Sequence, residues 1–145
     1  MITVLDTTAF SAAMRHEPTI LEFLRAHQPG DLATVPPVVA EIEYGIQRLE
    51  PGSRRRALLE AERDRLLDAV TVLPWTDDSS RRFGACKAQL ERDGVPVDDS
   101  DIATGAIALS HDAEVVTANL PHFGRLVGLA CRHWTEGPMQ APPVR

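Results

Sequence analysis

Short apolar or β-branched runs alternate with helical stretches along this chain, and that alternation leaves few folds open. Ile2 to Leu5, Leu32 to Val35, Val70 to Leu73 and Glu114 to Thr117 read as strands, and Leu129 to Arg132 as a weaker fifth. Between them, Pro18 to Ala26 reads as a short helix, and Pro29-Gly30 as a turn. Pro36-Pro37 opens a helix that carries Val38, Ile42, Ile46 and Leu49 at helical spacing until Pro51-Gly52 stops it. A long amphipathic helix follows over Ser53 to Ala69, with Leu58, Leu59, Leu66 and Leu67 expected inward. Asp77 or Asp78 is expected to cap a helix running to Asp93 and closed by Gly94. Ile102 to Leu109 is apolar nearly all round and predicts a buried helix. Strand–helix alternation of this kind implies an α/β fold with a parallel sheet and right-handed crossovers.

At 145 residues the chain predicts one domain with one core. We place that domain at residues 1–134 and expect a disordered tail over 135–145, where Pro138, Pro142 and Pro143 sit with little apolar content. The start, MITVLDTTAF, has no basic region and carries an Asp inside its apolar stretch, so no signal peptide is expected. No apolar run reaches the ~18 residues that span a bilayer. The cytoplasm is the expected compartment, with no membrane partner. Cys86 and Cys131 fit neither a disulfide framework nor a zinc site. A net charge of −6 argues against bulk coating of nucleic acid, though not against an enzyme whose bound cations cancel local charge.

Parallel sheets bind ligands just outside the carboxyl ends of their strands. Asp6 and Asn119, which follow the first and fourth strands, stand there. Asp6 interrupts an apolar strand end, beside Thr7 and Thr8 that can orient it, and is the best candidate; a helix or turn cap is the lesser alternative. Glu41 and Glu43 flank the apolar stripe of their helix at similar angles, and periodicity does not choose between them. Gly45, one turn after Glu41, leaves room there. Asp98, Asp99 and Asp101 crowd the mouth of the most apolar helix. Negative charge is favourable at a helix N-terminus, so capping accounts for one of them; three so close repel unless a cation sits among them. Oxygen ligands of this type suit Mg²⁺ or Mn²⁺, ions that activate water for phosphodiester hydrolysis. Gly-rich nucleotide loops and a G-x-S-x-G nucleophile setting are both absent. His111 and His122 read as helix-end or loop residues that could touch substrate. Arg54 to Arg56 and Arg81-Arg82 read as solvated faces, with a phosphate track or an acidic partner as the alternatives.

These residues also carry a family resemblance. I-T-V-L-D-T-T (2–8) resembles the strand ending in Asp-Thr-Asn of the VapC-like toxin ribonucleases of the PIN-domain superfamily. A-E-I-E-Y-G (40–45) is similar to that family's A-E-L-x-Y-G helix and puts its glutamate on Glu41. V-L-P-W and the stretch to L-E-R-D-G (72–94) resemble its third strand and following helix. G-V-P-V-D-D-S-D (94–101) matches G-x-P-x-x-x-x-D, and A-I-A-L-S-H-D (106–112) and V-T-A-N-L-P-H-F (116–123) keep the register. Thr8, Thr104-Gly105 and Asn119 depart from the commoner residues.

The resemblance implies a three-layer PIN-like fold, with a parallel sheet of about five strands between helices. It implies a Mg²⁺- or Mn²⁺-dependent endoribonuclease acting on structured RNA, a homodimer, and a cognate VapB-type antitoxin. It places the site on Asp6, Glu41, Asp101 and Asn119, with Asp6, Asp101 and Glu41 as metal ligands and Asp99 assisting them. Two alternatives stay open: a DNA-directed nuclease with the same acids, and a non-catalytic module whose acidic cleft holds a basic peptide. A small-molecule phosphatase is less favoured, because no phosphate-cradling loop is visible.

Overall fold

The computed structural model describes residues 1–136. Five strands form one sheet: β1 (Thr3–Leu5), β2 (Leu32–Thr34), β3 (Thr71–Val72), β4 (Glu114–Val116) and β5 (Cys131–Arg132). Their order is β3-β2-β1-β4-β5 and every pairing is parallel. The helices are α1 (Thr7–Met14), α2 (Pro18–Arg25), α3 (Pro36–Gln47), α4 (Arg54–Ala69), α5 (Asp77–Arg92), α6 (Asp99–Ser110) and the short α7 (Leu120–Phe123). The expected tail lies, beyond Glu136, outside the described residues.

Consecutive residues of a strand face opposite sides of the sheet. In β1 and β4 every residue is buried, so both sheet faces are covered and the helices form layers above and below. The expected α/β three-layer architecture is what the structure shows. The chain lays β2 and β3 to one side of β1, then returns to lay β4 and β5 on the other. The order therefore reverses between β1 and β4, where Leu5 pairs with Val116. Crevices open at the carboxyl ends of strands at such a reversal. Asp6 and Thr117 are the residues that follow these two strands.

The structure differs from the sequence expectations in four places. Apolar spacing predicts no element over residues 7–14, yet α1 forms there and buries Ala9, Phe10, Ala12, Ala13 and Met14. Five buried positions in eight blur any stripe, and the start signal is Asp6 itself, which caps the helix. Helix α5 is capped by Thr76, not by Asp77 or Asp78: Thr76 and Ser79 form a reciprocal capping box, and the aspartates occupy the first turn. In α4 only Leu66 is buried, while Leu58 is 61% exposed because it falls off the face that packs on α1 and α3. The short α7 is a further element that periodicity does not announce, since its four residues complete barely one turn.

Buried α6 is the helix that carries the third acid, and Gly105 sets its depth. A Cβ at Gly105 would lie 2.9 Å from Leu126 Cδ1 and 3.3 Å from Leu129 Cδ2. Gly105→Val is expected to cost about 1–3 kcal/mol through overpacking, read as a lower urea midpoint with an unchanged slope.

Candidate active site

Asp6 is 3% exposed, although it is a carboxylate. Its Oδ1 accepts from Thr8 Oγ1 at 2.6 Å and from the Ala9 backbone N–H at 2.9 Å. Its Oδ2 accepts from Thr117 Oγ1 at 2.5 Å. The capping reading of Asp6 therefore holds: one oxygen closes the first turn of α1, and both oxygens are fixed in orientation. Thr7 makes none of these bonds; Thr8 does. Burial pushes the Asp6 carboxyl above its ordinary value, the three hydrogen bonds oppose that, and the charge of Asp101 adds to it.

Asp101 stands in the first turn of α6. Its Oδ2 lies 2.7 Å from His122 Nδ1 and accepts from Asn119 Nδ2 at 3.2 Å. Asn119 also donates its backbone N–H to Thr117 Oγ1 at 2.7 Å. A continuous chain of polar contacts thus runs from Asp6 through Thr117 and Asn119 to Asp101, across 95 residues of sequence. Asp101 is likewise raised, first by burial and further by the charges of Glu41 and Asp98, with His122 pulling the other way.

The choice between the two glutamates of α3 is made by a different helix. Glu43 is occupied: Arg63 of α4 donates to it at 2.5 Å and Gln47 at 2.7 Å, and these bonds hold its carboxyl below the usual range. Glu41 is exposed, has no hydrogen bond or ion pair among the described residues, and is felt by Asp101. It lines a hollow of about 230 Å³ with Thr7, Ser11, Gly45 and Arg55. An added Cβ at Gly45 would meet nothing within 4 Å, so the space beside Glu41 is open.

Asp99 points elsewhere, with Lys87 Nζ 3.0 Å from its Oδ1. Asp98 occupies the cap position of α6 but accepts no capping bond through its side chain. The sequence reading passes over Thr117 and gives His122 no role at the acids. The available signal for Thr117 is the one that marks Asp6, a polar residue closing a fully apolar strand.

All the donors here are hard oxygens, which suits a small divalent cation rather than a soft one. Among the described residues no three His, Cys, Asp or Glu side chains meet in a ready-made cage. The fit is an open half-site of two raised carboxylates bridged by Thr117 and Asn119, an arrangement that suits an ion retaining several of its waters.

Raised carboxyls bind protons more tightly in the folded than in the unfolded protein, so they favour folding at low pH and cost stability as pH rises through the folded value. Asp101→Asn should therefore stabilise the protein at about pH 7 in chelator, with the gain over wild type shrinking toward about pH 4. Paired urea melts in EDTA measure this; a difference that does not change with pH would contradict the placement of Asp101.

The sequence pattern of the PIN domain matches residues 3–125. Ribonuclease VapC2 of Haemophilus influenzae is 28% identical over 131 residues, covering 90% of this chain and 96% of that protein. The tRNA(fMet)-specific endonuclease VapC of Shigella flexneri is 25% identical over 133 residues, 91% of this chain and 97% of its own. Among solved structures, VapBC-1 from nontypeable Haemophilus influenzae superposes with a TM-score of 0.81 at 27% identity, covering 94% of this chain and 100% of the other.

Proposed function

The chain belongs to the PIN-domain family, and on that premise we propose that it is a divalent-cation-dependent endoribonuclease, the toxin of a toxin–antitoxin pair. The observation that carries the reading is the convergence of two carboxylates, Asp6 and Asp101, linked through Thr117 and Asn119 where the strand order reverses. Asp6 is a buried carboxylate with no Arg or Lys partner among the described residues, and near it stands a second, half-buried carboxylate whose one ion-pair partner there is His122. Such a group is disfavoured as an anion unless something cationic is bound there. Relatives named ribonuclease or tRNA-specific endonuclease align over nearly the whole chain.

Bound at the acid pair, Mg²⁺ or Mn²⁺ supplies Lewis-acid chemistry at the scissile phosphate. The chain's own residues do the rest. Asp6 and Asp101 hold the cation, Asp6 with its orientation locked by Thr8, Ala9 and Thr117. Glu41, unpaired and next to open space, accepts the proton of the attacking water as general base. Asn119 fixes Asp101 through its side-chain amide and would donate to a phosphate oxygen of the substrate. Asp99, already paired with Lys87, lends negative field from outside the pair and reaches the ion only by leaving that lysine.

The same negative cleft suits a basic segment of a VapB-type antitoxin, which would inhibit by occupying the cation's place. We expect a homodimer as the acting form. Among the described residues no helix is long and apolar enough to cross a membrane, and the cytoplasm is the compartment that holds structured RNA substrates.

With purified protein, Asp6→Asn and Asp101→Asn should each lower RNA cleavage by at least about 10²–10⁴-fold, and EDTA should abolish it, while far-UV circular dichroism stays unchanged. Parallel assays on DNA of the same sequence should show no cutting. An Asp6→Asn protein that cuts at the parental rate would end the proposal. Thr117→Val, which removes one bond that orients Asp6, should cost about 10–100-fold in kcat or cation affinity.

A further inference from the structure

Beside the acid pair, at the carboxyl ends of β1, β4 and β5, lies a hollow of about 520 Å³ whose walls differ from the carboxylate centre. Its inner wall is Thr8 and Ala118. The Ala118 N–H donates to Thr8 Oγ1 at 2.8 Å, and Thr8 donates to Asp6 Oδ1 at 2.6 Å. One threonine side chain therefore separates the hollow from the buried carboxylate. The other wall is aromatic: His133 stacks on Trp134 with ring centroids 4.1 Å apart and planes 28° from parallel.

Both rings are held in place. The indole is 8% exposed and its Nε1 donates to Thr19 Oγ1 of α2 at 3.0 Å. The imidazole is half-buried, and the Thr135 N–H donates to its Nδ1 at 3.1 Å. Arg15 lines this hollow and also the neighbouring one that holds Glu41 and Arg55. Its only ion pair among the described residues is with Glu17 at 3.4 Å, both side chains well exposed, so a phosphate can replace that partner at little cost.

A pinned, partly exposed imidazole backed by a buried indole is a surface for another flat ring. Proteins read RNA through unpaired bases stacked on aromatic side chains, and such stacking tolerates any base because each has a π-face. The hollow's volume lies within the ~300–1,000 Å³ typical of ligand pockets. We propose that this hollow is a nucleobase subsite, in which an unpaired base next to the scissile phosphate stacks on His133 while Arg15 meets the adjoining phosphate. The inference rests on RNA being the substrate and names the part of it that is gripped.

The test uses fluorescein-labelled single-stranded octaribonucleotides of one base type each, with a matched octamer lacking bases, bound in EDTA so that nothing turns over. Wild type should prefer the base-bearing octamers by about 10-fold, the order of one stacked base. His133→Ala should reduce that preference to below about 2-fold, whereas His133→Phe should retain it. Arg15→Gln should weaken all octamers alike, because it removes a phosphate contact. A wild-type protein with no preference, or a His133→Ala variant that keeps it, would overturn the subsite. Structured RNA (total tRNA) incubated with the same proteins and Mg²⁺ separates the two readings. Cleavage without a His133-dependent preference sinks the subsite alone; the preference without any cleavage leaves the subsite and sinks the nuclease.

Discussion

Two buried carboxylates in this molecule meet opposite fates, and the contrast shows what the rest of the structure is organised around. Glu114 is 3% exposed, as Asp6 is, but Arg132 approaches both of its oxygens at 3.1 and 3.2 Å and Thr3 donates to it at 2.7 Å. Its charge is answered inside the sheet, joining β1, β4 and β5, and it is a structural group. Asp6 receives three hydrogen bonds and no Arg or Lys. Hydrogen bonds favour the ionised form but do not neutralise it, and the neighbouring Asp101 makes ionisation harder. The folded chain thus holds an unfavourable charge that only a proton or a cation relieves.

The backbone tempers that repulsion without removing it. Asp6 caps α1 and Asp101 sits in the first turn of α6, so each lies where the partial positive charge of a helix end favours an anion. The two helix starts meet because β1 and β4 are neighbours in the sheet although more than a hundred residues apart in the chain. With strands of three residues, each loop leaves the sheet at once, and the first residue out is already at the crevice. Gly105 lets α6 settle against Leu126 and Leu129, close enough for Asp101 to reach Asn119 and His122.

Much of this was legible in the sequence for physical reasons. A carboxylate ending a fully apolar strand is costly wherever it lands, so Asp6 stood out, as did the aspartates before an all-apolar helix. The strand–helix alternation sufficed for the parallel sheet. Helix α1 was not legible: its buried residues wrap most of its surface, leaving no stripe for periodicity to find. Thr117 was not legible either, because threonine is ordinary in strands and its role depends on Asp6, 111 residues away. His133 and Trp134 carry no local motif; only the closure of β5 beside β4 brings them to the acids.

The glutamates show most clearly where sequence patterns stop. Glu41 and Glu43 are equivalent on a helical wheel, and what separates them is which one a cation from elsewhere in the fold has claimed. Arg63 takes Glu43, and by the same sorting Lys87 takes Asp99. Arg63 of α4 and Lys87 of α5 are thereby used on the acids at the edge, and Asp6, Asp101 and Glu41 have no Arg or Lys partner among the described residues. In a chain of net charge −6, bringing an RNA phosphate to that trio adds negative charge to negative charge. Arg63 and Lys87, committed to other carboxylates, do not offset it at the acids themselves, while Arg15 and Arg55 stand beside Glu41 where the flanking phosphates would lie. The ion pairs around the site therefore do more than hold helices together: by taking Arg63 and Lys87 for Glu43 and Asp99, they leave the charges of Asp6 and Glu41 unanswered by any Arg or Lys contact among the described residues.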